Sequence, residues 1–131
     1  MKVLQPPHWP RPKGYSNGIS ASGRMIFTAG VVGWDENESF PDYTLHGQFS
    51  QALMNTLEIL AQDGAGPQHI VRMTVYVTDR HEYVNSRDEI GAGWKEIMGA
   101  NYPAMALVEV KGLLEGAAKV EIETTAVVEE E

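Results

Sequence analysis

Four histidines are spread through the chain as His8, His46, His69 and His81, with no H-x-x-x-H or H-x-H pair, and there is no cysteine. That leaves no paired ligands for a transition metal and removes thiol nucleophiles, disulfides and iron–sulfur clusters together. A G-x-S-x-G elbow, a Walker A loop and a G-x-G-x-x-G turn are all absent, and Ser, His and Asp follow no order from which a triad can be built. No metal or organic cofactor is expected. Arg87 is more informative, four residues after Tyr83 and three before Ile90 in an apolar helical stripe. A guanidinium there must be paired or must face a cleft, because burying a lone charge is strongly unfavourable. Its partner is either an acid across a subunit boundary or a ligand carboxylate held by two parallel N–H donors. Glu121 and Glu123 share one side of the last strand, against Val120 and Ile122 on the other. On a solvated face they are ordinary surface acids. In an oligomer interface Glu121 would be partly desolvated and able to act as a general base.

The elements that must position these groups follow from composition and period. With 131 residues, 43% hydrophobic and 21% charged, the chain fits one folded domain over 1–131. A net charge of −8 opposes binding to a phosphate backbone, so no nucleic acid is expected as partner. The start, MKVLQPPHWPRPKG, contains no apolar run of signal-peptide length, and no stretch reaches the roughly 18 apolar residues that span a bilayer. A cytoplasmic protein without membrane contact is the expectation.

Residues 1–14, holding four of the seven prolines, read as an extended surface arm kept out of any central strand. Asn17-Gly18, Ser22-Gly23 and the apolar run Met25–Val32 predict a hairpin, and Trp34–Pro41 a polar loop. Leu45, Phe49, Leu53, Leu57 and Leu60 recur at spacings of four and three, predicting a helix between about Asp42 and Asp63 that Gly64 and Gly66-Pro67 end. Alternation predicts a strand over Ile70–Thr78. Asp79 with Glu82 then resembles a capping box, opening a second helix marked by Tyr83, Ile90, Trp94 and Ile97 and closed near Gly99. Strands at Ala104–Val110 and Lys119–Val128 follow, and Glu129–Glu131 is a frayed acidic tail. The order β-β-α-β-α-β-β predicts an α+β fold, with two helices packed on one face of a mixed sheet. Val, Leu, Ile and Met on the other face would need cover from another chain, so a homo-oligomer is expected.

Several segments carry a family resemblance: Gly14-Tyr15-Ser16, Phe27–Gly30, Ile70–Asp79 (IVRMTVYVTD), Tyr102–Val110 (YPAMALVEV) and Lys119–Val127 (KVEIETTAV). In order and spacing the chain resembles the RidA/YjgF family of enamine/imine deaminases over nearly its whole length. The resemblance implies a chorismate-mutase-like fold, a homotrimer around a closed β core, and ligand clefts between neighbouring subunits. It also implies catalytic roles for Tyr15 and Glu121 and a place for Gly30 at the substrate. In deaminating members an arginine directly after the Pro-Ala pair clamps the substrate carboxylate; the matching residue here is Met105, which offers no N–H donors. The usual Ser or Thr before the glycine is Ala29, and a position often held by cysteine is Leu107. Two readings stay open. In one, the chain hydrolyses an atypical imine or enamine, with Met105 and Leu107 against an apolar group and Arg87 replacing the anion clamp. In the other, catalysis is lost and the trimer binds a small metabolite or a partner protein.

Overall fold

Alternation along β5 (Ile70–Val77) sends Met73, Val75 and Val77 to one side and Arg72, Thr74 and Tyr76 to the other. The same period along β7 (Val120–Val128) buries Val120, Ile122, Thr124 and Ala126 and leaves Glu121 and Glu123 on the side of Tyr76 and Thr74. The computed structural model describes residues 1–130. Its main sheet runs β3 (Arg24–Phe27), β7, β5, β6 (Ala104–Glu109), with β4 (Val31–Val32) also on β7. The β5–β6 pair is parallel and the other pairs are antiparallel, so the sheet is mixed.

Three helices, α1 (Leu45–Ala61), α2 (Arg80–Asn85) and α3 (Arg87–Met98), supply the other layer. Phe49, Leu53, Leu60, Ile90, Trp94 and Met98 close on Met73, Val75 and Ile122. Each large apolar side chain buried this way contributes about 1.5–3 kcal/mol. Thr44 caps α1, its Oγ1 accepting from Gly47 N at 3.1 Å, while Asp42 accepts from Thr44 in turn. Gly64, at φ 74°, turns the chain away beyond the helix end. No helix among the described residues is long and apolar enough to cross a membrane.

The α+β class, the mixed sheet and the helix-covered face are as expected, and several details differ. The expected hairpin does not form. Ile19–Ser20 (β2) pairs with Lys2–Val3 (β1) in the arm, whereas β3 and β4 both pair with β7, about 100 residues downstream. Gly23 allows this, because a Cβ there would lie 2.2 Å from Val128 O. The second helix is two helices, separated at Ser86 (φ −106°, ψ 11°). Asp79 caps α2 through His81 N (2.9 Å) and Glu82 N (3.1 Å), but Glu82 does not complete the box, pairing instead with Lys119 Nζ at 2.9 Å. Of the acidic tail, Glu129 pairs with the Met1 amine and Glu130 with Arg24 at 3.1 Å; Glu131 lies outside the described residues.

The uncovered sheet face is mixed rather than apolar. Strict alternation gives most of the Val, Ile and Met to the helices, so this face has a polar middle of Arg72, Thr74, Tyr76, Glu121 and Glu123. Exposed Met25 and Phe27 flank it on one edge and Ala104, Ala106 and Val108 on the other.

Candidate functional site

Glu121 sits in β7 with Val32 of β4 opposite it on one side and Tyr76 of β5 on the other. The edge strand is broken next to it. Between β3 and β4, Thr28 N donates to Thr124 O at 2.9 Å and Thr28 Oγ1 accepts from Thr124 N at 3.0 Å, and the chain then passes through Ala29 and Gly30. A Cβ on Gly30 would meet Glu121 Oε2 at 2.7 Å and its Cδ at 2.8 Å. The carboxylate therefore occupies space that exists because residue 30 has no side chain.

Gly30 also borders an open cleft of about 740 Å³ between the Ala29–Val32 segment and α1. Its charged lining residues are Asp35, Glu36 and Glu58, beside Trp34 and Ile59, with no lysine or arginine. Across β7, Tyr76 Oη donates to Glu123 Oε1 at 2.7 Å. That bond, with some burial and the negative charges of Glu123 and Glu121, holds the phenol above its usual range. The Glu121 neighbourhood is thus a carboxylate-rich strip with a protonated phenol at its side.

The other residues singled out in the sequence lie elsewhere in the chain. Tyr15 is exposed and precedes Ser16, which donates from N to Pro103 O at 3.0 Å and from Oγ to Tyr102 O at 2.5 Å. This places Tyr15 at the start of β6. Met105 and Leu107 follow on that strand, in register with Met73 and Val75 and partly buried against the helix-side core. Arg87 opens α3, exposed, with Nε donating to Val84 O at 3.3 Å. The break at Ser86 takes it off the continuous stripe that its spacing suggested. One chain therefore joins Ala29, Gly30 and Glu121 at the β4–β7 edge and puts Tyr15, Met105 and Leu107 at the β6 edge, two strands away. Among the described residues no group of three or more His, Asp or Glu side chains gathers to hold a metal.

Sequence reasoning missed the Tyr76–Glu123 pair and two amides of α1, Gln48 and Asn55, that bond to the strands around Glu121. A polar residue within an otherwise apolar helical stripe was the available signal for Gln48.

A family model described as endoribonuclease L-PSP matches residues 9–128. A RutC family protein of Synechocystis is 30% identical over 116 residues, covering 86% of each chain. Among solved structures, a Rid-family protein of unknown function, YyfB from Yersinia pestis, is 30% identical with a TM-score of 0.84, covering 97% of this chain and 98% of its own. The TdcF protein of E. coli, solved with bound serine, is 26% identical with a TM-score of 0.70, covering 98% and 99%.

Proposed function

The chain belongs to the endoribonuclease L-PSP family, that of the RidA/YjgF proteins, and from this premise we propose that it hydrolyses the C=N bond of an imine, or of its enamine tautomer, to a carbonyl compound and ammonia. The whole chain would act as one RidA-like domain in a cytoplasmic homotrimer. The contact between Gly30 and the Glu121 carboxylate carries the reading. A carboxylate packed against bare backbone, beside a cleft and on the uncovered sheet face, can hold a water over a small flat C=N group.

In this mechanism Glu121 accepts a proton as the water oxygen attacks the imine carbon, and the C=N electron pair moves to nitrogen. A carbinolamine results. Glu121 returns that proton to the nitrogen, giving the neutral amino alcohol; it then takes the hydroxyl proton and hands it to the amino nitrogen, so that the C–N bond breaks, ammonia leaves and C=O forms. Tyr15 lies at the other edge of the sheet, so it would reach the reaction from a neighbouring subunit, which supports clefts completed between chains. The serine bound to the related TdcF supports a ligand of small-metabolite size.

The substrate class follows from charge. Met105 supplies no donors where deaminating relatives place a carboxylate clamp, and in the polar middle of the uncovered face the carboxylates of Glu121 and Glu123 outnumber the one cation, Arg72. Both features favour a neutral or cationic imine with an apolar group over an imino acid. They also suit an RNA substrate, named in the family description, poorly. Met105 favours a second reading, in which the trimer binds a small metabolite without turning it over.

Imines generated in situ by amine and amino-acid oxidases, with ammonia release followed with and without the protein, test the proposal. Acceleration for amine-derived imines above amino-acid-derived ones is the expected result, and no acceleration for any imine would leave the binding reading.

A further inference from the structure

Amide side chains directed from a helix into a core are kept only where every donor and acceptor is matched. Two on α1, buried Gln48 and half-buried Asn55, are matched by backbone groups in and near the strands that frame Glu121. Gln48, with 0% of its surface exposed, donates to Ala117 O at 2.9 Å and to Asp42 O at 3.2 Å, and its Oε1 accepts from Lys119 N at 2.7 Å. This fixes the chain two residues before Glu121. Seven residues later on the same helix face, Asn55 donates to Val32 O at 3.0 Å and Trp34 O at 2.8 Å. Its Oδ1 accepts from Gln51 Nε2 at 2.8 Å, which fixes the amide's orientation. Val32 is the residue opposite Glu121, and Gly30 two residues earlier meets the carboxylate. Between these anchors Gly33 lets the strand approach so closely that a Cβ there would lie 2.3 Å from Gln48 O.

We infer that Gln48 and Asn55 are positioning residues, which hold β7 and β4 from one helix so that the Glu121 carboxylate is fixed against Gly30. Neither lies between Glu121 and Gly30; Asn55 acts through the backbone carbonyls of Val32 and Trp34, and Gln48 through backbone groups of Ala117 and Lys119, which lead into β7. The inference rests on the role proposed for Glu121. Its functional weight comes from geometry, since displacing a reacting group by about 1 Å can lower a rate by about 100-fold.

The test is carbon-13 NMR of the Glu121 carboxyl group, assigned with Glu121→Gln, in wild type, Asn55→Ala, Asn55→Ser and Gln48→Met. Leu60→Val, a core change on the same helix, serves as a control for general loss of stability. The Glu121 carboxyl signal is expected to move in the Asn55 and Gln48 variants and to stay in place in the control. With an imine that the wild type hydrolyses, kcat is expected to fall about 10- to 100-fold while KM stays within about threefold. An unmoved Glu121 signal in the Asn55 and Gln48 variants, or an equal shift in Leu60→Val, overturns the inference. A moved signal in a protein that hydrolyses no imine supports the positioning role and overturns the proposed reaction.

Discussion

Two glycines three residues apart divide the labour at the β4–β7 edge. A Cβ on Gly33 would lie 2.3 Å from the backbone oxygen of Gln48, which cannot swing away, whereas the nearest atoms to one on Gly30 belong to the flexible Glu121 side chain. Gly33→Ala should therefore destabilise the fold by about 1–3 kcal/mol, as overpacking against fixed backbone does. Gly30→Ala should keep the melting temperature near wild type and lower imine turnover by displacing the carboxylate. A Gly30→Ala protein that melts as early as Gly33→Ala would contradict this division. Next to it, Tyr76 is held protonated by its bond to Glu123 and by the nearby charges. Its raised value means that the contact stabilises the fold below the usual tyrosine pKa of about 10 and is lost as pH climbs through the raised value. In an ultraviolet titration Glu123→Gln should bring one tyrosine ionisation back toward the usual value; an unchanged curve would remove the pair. At this scale the alternation of acids with apolar residues put Glu121 and Glu123 on one side of β7, and the family resemblance singled out Glu121. Which tyrosine or glycine stands beside it depends on register between distant strands, which no local pattern encodes.

Among the elements, α1, β5, β6 and β7 were legible because each carries a full period of apolar residues that the core then uses. The split between α2 and α3 was not. Tyr83 and Ile90 are seven residues apart, a spacing that two helical turns satisfy whether or not the backbone breaks between them at Ser86. The hairpin expectation failed for a related reason: turn signals at Asn17-Gly18 and Ser22-Gly23 suggest local pairing, while the edge of β7 offered Met25–Val32 a longer ladder. Short α2 depends on its first turn, where Asp79 accepts from two backbone N–H groups. Asp79→Ala should destabilise the protein by about 1 kcal/mol, lowering the melting temperature by roughly 4 °C. No change in melting would mean that α2 is held by the packing of Tyr83 alone.

For the whole molecule, the two groups of candidate residues lie at opposite edges of one sheet, and the uncovered face presents Met25 and Phe27 to solvent at 56% and 66% exposure. A trimer that joins the β4–β7 edge of one chain to the β6 edge of the next would bring Glu121 and Tyr15 together. Light scattering should give a mass of three 14.4 kDa chains, and a monomer at micromolar concentration would dissolve the shared cleft. The apolar face that the sequence suggested would need cover is apolar only at its flanks, Met25 and Phe27 among them, because most of the strands' Val, Ile and Met face the helices; the trimer itself comes from the family resemblance.

The central claim, that Glu121 activates water for C=N hydrolysis, is tested most directly by ammonia release from one oxidase-generated imine with wild type and Glu121→Gln at equal concentration. The amide keeps the shape of the side chain and removes the base. The expected result is a fall of about 10²–10⁴-fold in kcat with the fold and assembly intact. Turnover by Glu121→Gln at the wild-type rate would contradict the account.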